Sequence, residues 1–206
     1  IYSYSALYGD LLASPTDAAF PEGLLSRLAR LGINAVWIPA VLYTLCPWKA
    51  AEPFVSGYEE RLRALRRLVA DAAKYGMRVF LYLNEPRGMP LRFYDAVPAM
   101  KGVEFPHLGM AAMCTSEESV LEYLEEACAF VFEEVPGLAG AFTITMSENP
   151  THCHSKGTGD QCAKCAQRET AEVVAEVNET IARGIHRSHP DARVIAWTWA
   201  WDPEWA

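Results

Sequence analysis

Glu148 stands in the run Met146-Ser147-Glu148-Asn149-Pro150, and Glu85 in the run Leu83-Asn84-Glu85-Pro86-Arg87. Each run follows a stretch of branched and aromatic residues that reads as a strand, so each carboxylate is expected at a strand end. Two carboxylates at neighbouring strand ends can work as an acid and a base, and cleavage of a glycosidic bond uses such a pair. The acid must be partly desolvated to hold its proton near neutral pH. Trp197, Trp199 and Trp201 alternate just before Asp202. Indoles in that position both desolvate a carboxyl and stack on the apolar face of a ring. On this reading Glu148 donates the proton, and Glu85 or Asp202 orients the substrate or a water. Tyr43, Trp197 and Trp199 form the platform, while Asn84, Ser147, Asn149 and His152 complete the substrate contacts. The plainer reading of Glu85 is a loop cap that accepts backbone N–H bonds.

A second constellation follows directly. Thr151-His152-Cys153-His154 precedes Cys162-Ala163-Lys164-Cys165, with Gly157, Thr158 and Gly159 between them. A C-x2-C pair with a third cysteine and a nearby histidine suits a tetrahedral Cys3His zinc site, here Cys153, His154, Cys162 and Cys165. Such a closed site would be structural, and no other cofactor is called for. Reduced thiols, or one disulfide from Cys153, are the alternatives. A redox C-x2-C fits less well, because the motif does not follow the first strand of a thioredoxin-like unit. Cys128 falls on the apolar face of a helix and reads as core.

These residues need a frame. Strand and helix patterns alternate throughout: strands near 1–8, 33–39, 77–83, 140–145 and 193–201, and helices near 20–31, 56–75, 116–135 and 164–186. Leu24, Leu25, Leu28 and Leu31 recur at helical spacing in the first helix, and Leu62, Leu65, Leu68, Val69 and Ala72 in the second. Ser56 and Ser116 are the expected caps of the second and third helices. Such alternation implies parallel strands joined by right-handed crossovers. A doubly wound sheet fits the strand count, but no Gly-rich phosphate loop follows the first strand. The expectation is one domain over residues 1–206, of (β/α)8 TIM-barrel type, incomplete at about five β/α units and cut after strand five.

Composition narrows the partners. Hydrophobic residues make up 51% and charged residues 21%, enough for a real core. The formal net charge of -8 argues against a nucleic-acid surface. Arg61, Arg63, Arg66 and Arg67 cluster only as the wet side of one helix. No run approaches the roughly 18 apolar residues of a membrane span, and no signal peptide is read at Ile1. Compartment and oligomeric state stay open, and the expected partner is a carbohydrate.

The motifs also resemble a known family. Ala73-Lys74-Tyr75-Gly76-Met77-Arg78-Val79, then Asn84-Glu85-Pro86 and Gly88-Met89-Pro90, look like the β-N-acetylhexosaminidases of glycoside hydrolase family 20. Met113-Cys114-Thr115-Ser116 and Pro136-Gly137 are similar too, and Leu28 to Trp37 looks like the first helix and second strand of sugar-cleaving barrels. The resemblance covers roughly residues 20 to 150 and implies a (β/α)-barrel with Glu148 as general acid. It has two departures. Ser147 stands where the family has an Asp that orients the substrate's 2-acetamido group, and the first strand lacks the family's sugar-holding arginine. The acid role therefore carries over, while the substrate-assisted mechanism and the N-acetylhexosamine substrate do not. A barrel that binds carbohydrate without cleaving it, and a zinc-dependent barrel enzyme built on the Cys/His cluster, are the alternative readings.

Overall fold

Four parallel strands, β1 (Ala35–Ala40), β2 (Arg78–Leu83), β6 (Leu138–Thr143) and β7 (Arg193–Ala196), lie side by side in that order. The computed structural model describes residues 10–12, 20–146 and 149–205. The strand expected over residues 1–8 lies outside them. Helices α1 (Glu22–Arg30), α2 (Tyr58–Ala73), α3 (Glu118–Glu134) and α4 (Thr170–Ser188) alternate with the parallel strands, as the periodicity requires.

Side chains alternate across each strand, and the two sheet faces differ. Val36, Ile38, Val79, Leu81, Leu83 and Ala141 are buried against Leu62, Leu65, Leu68, Leu124, Cys128 and Val131 of the helices. The opposite face carries rings in register. Trp37 pairs with Phe80, Tyr82 with Phe142, and Phe142 with Ile195. Trp37 packs tilted against Tyr82 at 5.0 Å, and Phe80 against Phe142 at 5.5 Å. In a (β/α)-barrel this second face looks toward the axis. Gly140 has φ 147°, and a Cβ there would lie 1.8 Å from the Arg193 carbonyl, so only glycine lets β7 pair this closely with β6.

Several boundaries differ from expectation for local reasons. Neither Ser56 nor Ser116 caps a helix. The residue before α2 is Gly57 in the left-handed region, and the residue before α3 is Glu117 in extended geometry. Ser116 faces the cysteines instead. α4 begins at Thr170, because residues 162–168 form hydrogen-bonded turns. β7 ends at Ala196 instead of continuing through the tryptophans.

The sequence patterns also gave no sign of a small antiparallel sheet inserted between β2 and α3. It consists of β3 (Met89–Pro90), β4 (Lys101–Phe105) and β5 (Met110–Met113) in the order β3-β5-β4. Phe93, Tyr94 and Met100 are buried beneath it, and the Tyr94 hydroxyl donates to the Ala111 and Ala112 carbonyls at 2.9 and 3.1 Å. Among the described residues no helix is long and apolar enough to cross a membrane.

Candidate functional site

Polar groups gather where the parallel strands end, the face on which barrels carry their chemistry. Just past β6, the Ile144 N–H donates to the Leu83 carbonyl at 2.8 Å, which aligns the ends of β2 and β6. Asn84, nearly fully buried, donates from Nδ2 to the Ile144 carbonyl at 2.7 Å. Asn149 is exposed, and its Nδ2 donates to Asn84 Oδ1 at 2.9 Å. The loop after β6 is tied to the loop after β2 twice more, through Gly88 N–H to the Pro150 carbonyl at 2.8 Å and Met113 N–H to the Thr151 carbonyl at 3.1 Å. Ser147 and Glu148 lie outside the described residues, between Met146 and the Asn149 anchored in this way.

Glu85 does not reach this rim. It is 0% exposed and sits between sheet and helices, near Cys46, Tyr123 and Cys128. Oε1 accepts the Leu42 N–H at 2.9 Å, while Oε2 has no hydrogen-bond partner. Burial pushes its carboxyl up to about 7, against the pull of the Leu42 N–H and of Arg87. The expected catalytic contact is therefore corrected: as placed, Glu85 pins the turn after β1 and meets no solvent.

The other expected contacts divide in the same way. His152 is also 0% exposed, so the expected substrate contact is corrected here too. Neither of its ring nitrogens has a hydrogen-bond partner, and desolvation followed by the neighbouring His154 holds its pKa down to about 3. Tyr43 is half-buried in the turn after β1, and burial raises its hydroxyl. Trp197 and Trp199 are exposed by 42% and 51% at the end of β7, packed edge to face at 6.3 Å. A cleft of about 400 Å³ runs from Trp197 and Ile195 to Phe142 and Trp37. Asp202 is exposed, and its Oδ1 accepts the Glu204 N–H at 3.0 Å.

Four cysteines converge beside the rim, and their identity corrects the expected set. The sulfurs of Cys114, Cys153, Cys162 and Cys165 all lie within 4.8 Å of one another. His154 is not among them. Its Nδ1 lies 2.9 Å from Thr170 Oγ1 and its Nε2 3.2 Å from the Cys165 carbonyl, while its ring packs on Gly159. Cys114 takes the expected place of His154, because β5 delivers it to the cluster from 48 residues away in sequence. Local spacing could not show this, although Cys114 already stood out in the Met113-Cys114-Thr115-Ser116 run. Hydrogen bonding from the Cys153 thiol holds Cys114 down, near 5, and pushes Cys153 itself up.

No protein-family model matches this chain, and no curated protein does. Solved structures do. A glycoside hydrolase family 5 protein of Bifidobacterium longum subsp. longum, in complex with Manb1-4GlcNAc, superposes with a TM-score of 0.59 at 15% identity. The match covers 98% of this chain and 44% of that one. A glycoside hydrolase family 5 enzyme of Prevotella bryantii, in complex with a xyloglucan tetradecasaccharide, gives 0.51 at 10% identity, over 85% of this chain and 44% of that one. The fold is thus an α/β fold with a parallel sheet, similar to that of these two barrels. The structural likeness runs to family 5, in place of the family 20 that the motifs resemble. The chain spans less than half the length of either neighbour.

Proposed function

We propose that this chain contributes to a barrel that hydrolyses a glycosidic bond, with Glu148 as general acid. The observation that supports this reading is the tied rim: Asn149, the residue after Glu148 in sequence, donates from its side chain to Asn84 at the end of β2. Trp197 and Trp199 stand exposed at the end of β7, where indoles can meet a ring. The solved neighbours carry bound saccharides on the same fold, which supports a carbohydrate as partner.

The burial of Glu85 favours a second reading, a barrel that binds carbohydrate without cleaving it. It leaves Asp202 and Glu204 as exposed acidic residues close in sequence to the tryptophans.

One assay separates the two readings. The full-length protein is screened against aryl glycosides and uronides beside Glu148→Gln. Loss of a positioned acid lowers turnover by roughly 10² to 10⁴, and the variant should melt at the wild-type temperature. A Glu148→Gln protein with near-full activity would remove the acid role. Silence on every sugar, with binding seen by calorimetry, would support the second reading.

A further inference from the structure

The segment after β6 buries Thr151, His152, Cys153, His154 and Ser155 in a row, and none of them has an aliphatic side chain. Its apolar packing is limited to the contact of Cys153 and Cys165 with Val103, Phe105 and Ala112 of the inserted sheet. The sulfurs offer another means of ordering it. Cys114 Sγ lies 3.8 Å from Cys162 Sγ and 3.6 Å from Cys165 Sγ. A tetrahedral zinc with Zn–S bonds of about 2.3 Å has sulfur–sulfur edges of about 3.8 Å. A disulfide would need about 2.05 Å, and all six cysteines are free.

The surroundings also suit thiolates. Ser116 Oγ lies 3.2 Å from Cys165 Sγ, and the Ser116 and Val103 N–H groups face Cys114 and Cys153. Such outer hydrogen bonds orient and stabilise metal-bound sulfur. The ligands come from three places: Cys114 from the end of β5, Cys153 from the start of the loop, and Cys162 and Cys165 from one C-x2-C turn closed by Cys165 N–H to the Cys162 carbonyl at 3.0 Å.

We propose that Cys114, Cys153, Cys162 and Cys165 hold one zinc ion as a closed four-thiolate site that clamps the loop after β6 onto the sheet inserted after β2. On binding, the thiol protons leave to solvent and no electron is transferred. Four sulfurs leave no open position for water, so the ion is structural and is not the reaction centre. This assignment stands whether or not the barrel cleaves sugars.

The test is metal analysis of the full-length protein purified without chelator. One zinc per chain is expected. Cys162→Ser should lose it, while His154→Ala and Cys46→Ser should keep it. Absence of zinc, or iron with its visible absorption, would overturn the assignment, as would loss of the metal in His154→Ala. Where Cys162→Ser fails to fold, thiol modification of the wild type decides. The four thiols should react together, in step with zinc release into a metallochromic dye. Their reaction without zinc release would overturn the site.

Discussion

The two long loops at the C-terminal face of the sheet are held by different physics. The loop after β2 builds its own antiparallel ladder, β3-β5-β4, and buries Phe93, Tyr94 and Met100 beneath it. Among its described residues the loop after β6 has no strand, only the isolated bridge of His152 to Met113. Residues 151–155 bury hydroxyl, imidazole and sulfur, and the loop leans on the first loop through Gly88–Pro150, Met113–Thr151 and Asn84–Asn149. Its order should therefore depend chiefly on whatever the sulfurs hold, whereas the first loop has Phe93, Tyr94 and Met100 besides the Val103, Phe105 and Ala112 that it packs against the cysteines. The comparison bears on the proposed acid, because in sequence Glu148 falls within the second loop.

The largest expected effect breaks this comparison directly. If the proposed zinc is bound, stripping it with a chelator should leave residues 89–113 protected from hydrogen exchange while residues 149–168 lose protection. A loss of about 3 kcal/mol of local stability corresponds to roughly a hundredfold faster exchange. Equal loosening of both loops would mean that they form one cooperative unit. No change in either would show that the turns and inter-loop bonds hold the second loop unaided.

A second effect concerns the carboxyl beneath the first loop. The folded-state pKa of Glu85 is raised from 4.5 to about 7, chiefly by desolvation. The native state therefore binds the proton more tightly than the unfolded state does. The stability this contributes is complete below pH 4.5 and is lost as pH rises to about 7, an amount of about 3 kcal/mol. Glu85→Gln keeps an acceptor for the Leu42 N–H and cannot ionise. Urea melts across this range should show the variant gaining on the wild type as pH rises, and exceeding it at pH 8. Parallel curves would mean that the carboxyl is not isolated from water as its burial indicates.

The sequence made the frame legible because amphipathic periodicity is a property of each segment alone. Leu62, Leu65, Leu68 and Ala72 are buried on one face of α2, and Cys128 is core, as their spacing required. The inserted sheet was not legible, since strands of two to five residues are defined by their partners. Met89 and Pro90 count as a strand only because Ala111 and Met110 lie opposite. The same limit governed the cluster. His154 is adjacent in sequence to Cys153, yet Cys114 arrives through strand pairing, which local spacing cannot reveal. Glu85 shows a third limit. A strand-end carboxylate can turn outward toward the helices as well as toward the rim, and only the placement of Leu42 decides which.

The smallest expected effect sharpens the link between the loops. Asn84 donates to the Ile144 carbonyl and accepts from Asn149, so it touches the ends of both β2 and β6. Asn149→Ala should remove one partly buried hydrogen bond at about 1 kcal/mol, and Asn84→Ala more, because it also leaves the Ile144 carbonyl without its donor. If the Asn84–Asn149 bond is the working contact, the double variant should fall short of the sum by about 1 kcal/mol. Strict additivity in urea melts would show that Asn149 is held by its own loop, leaving the Gly88–Pro150 and Met113–Thr151 bonds and the sulfur cluster to tie that loop to the first.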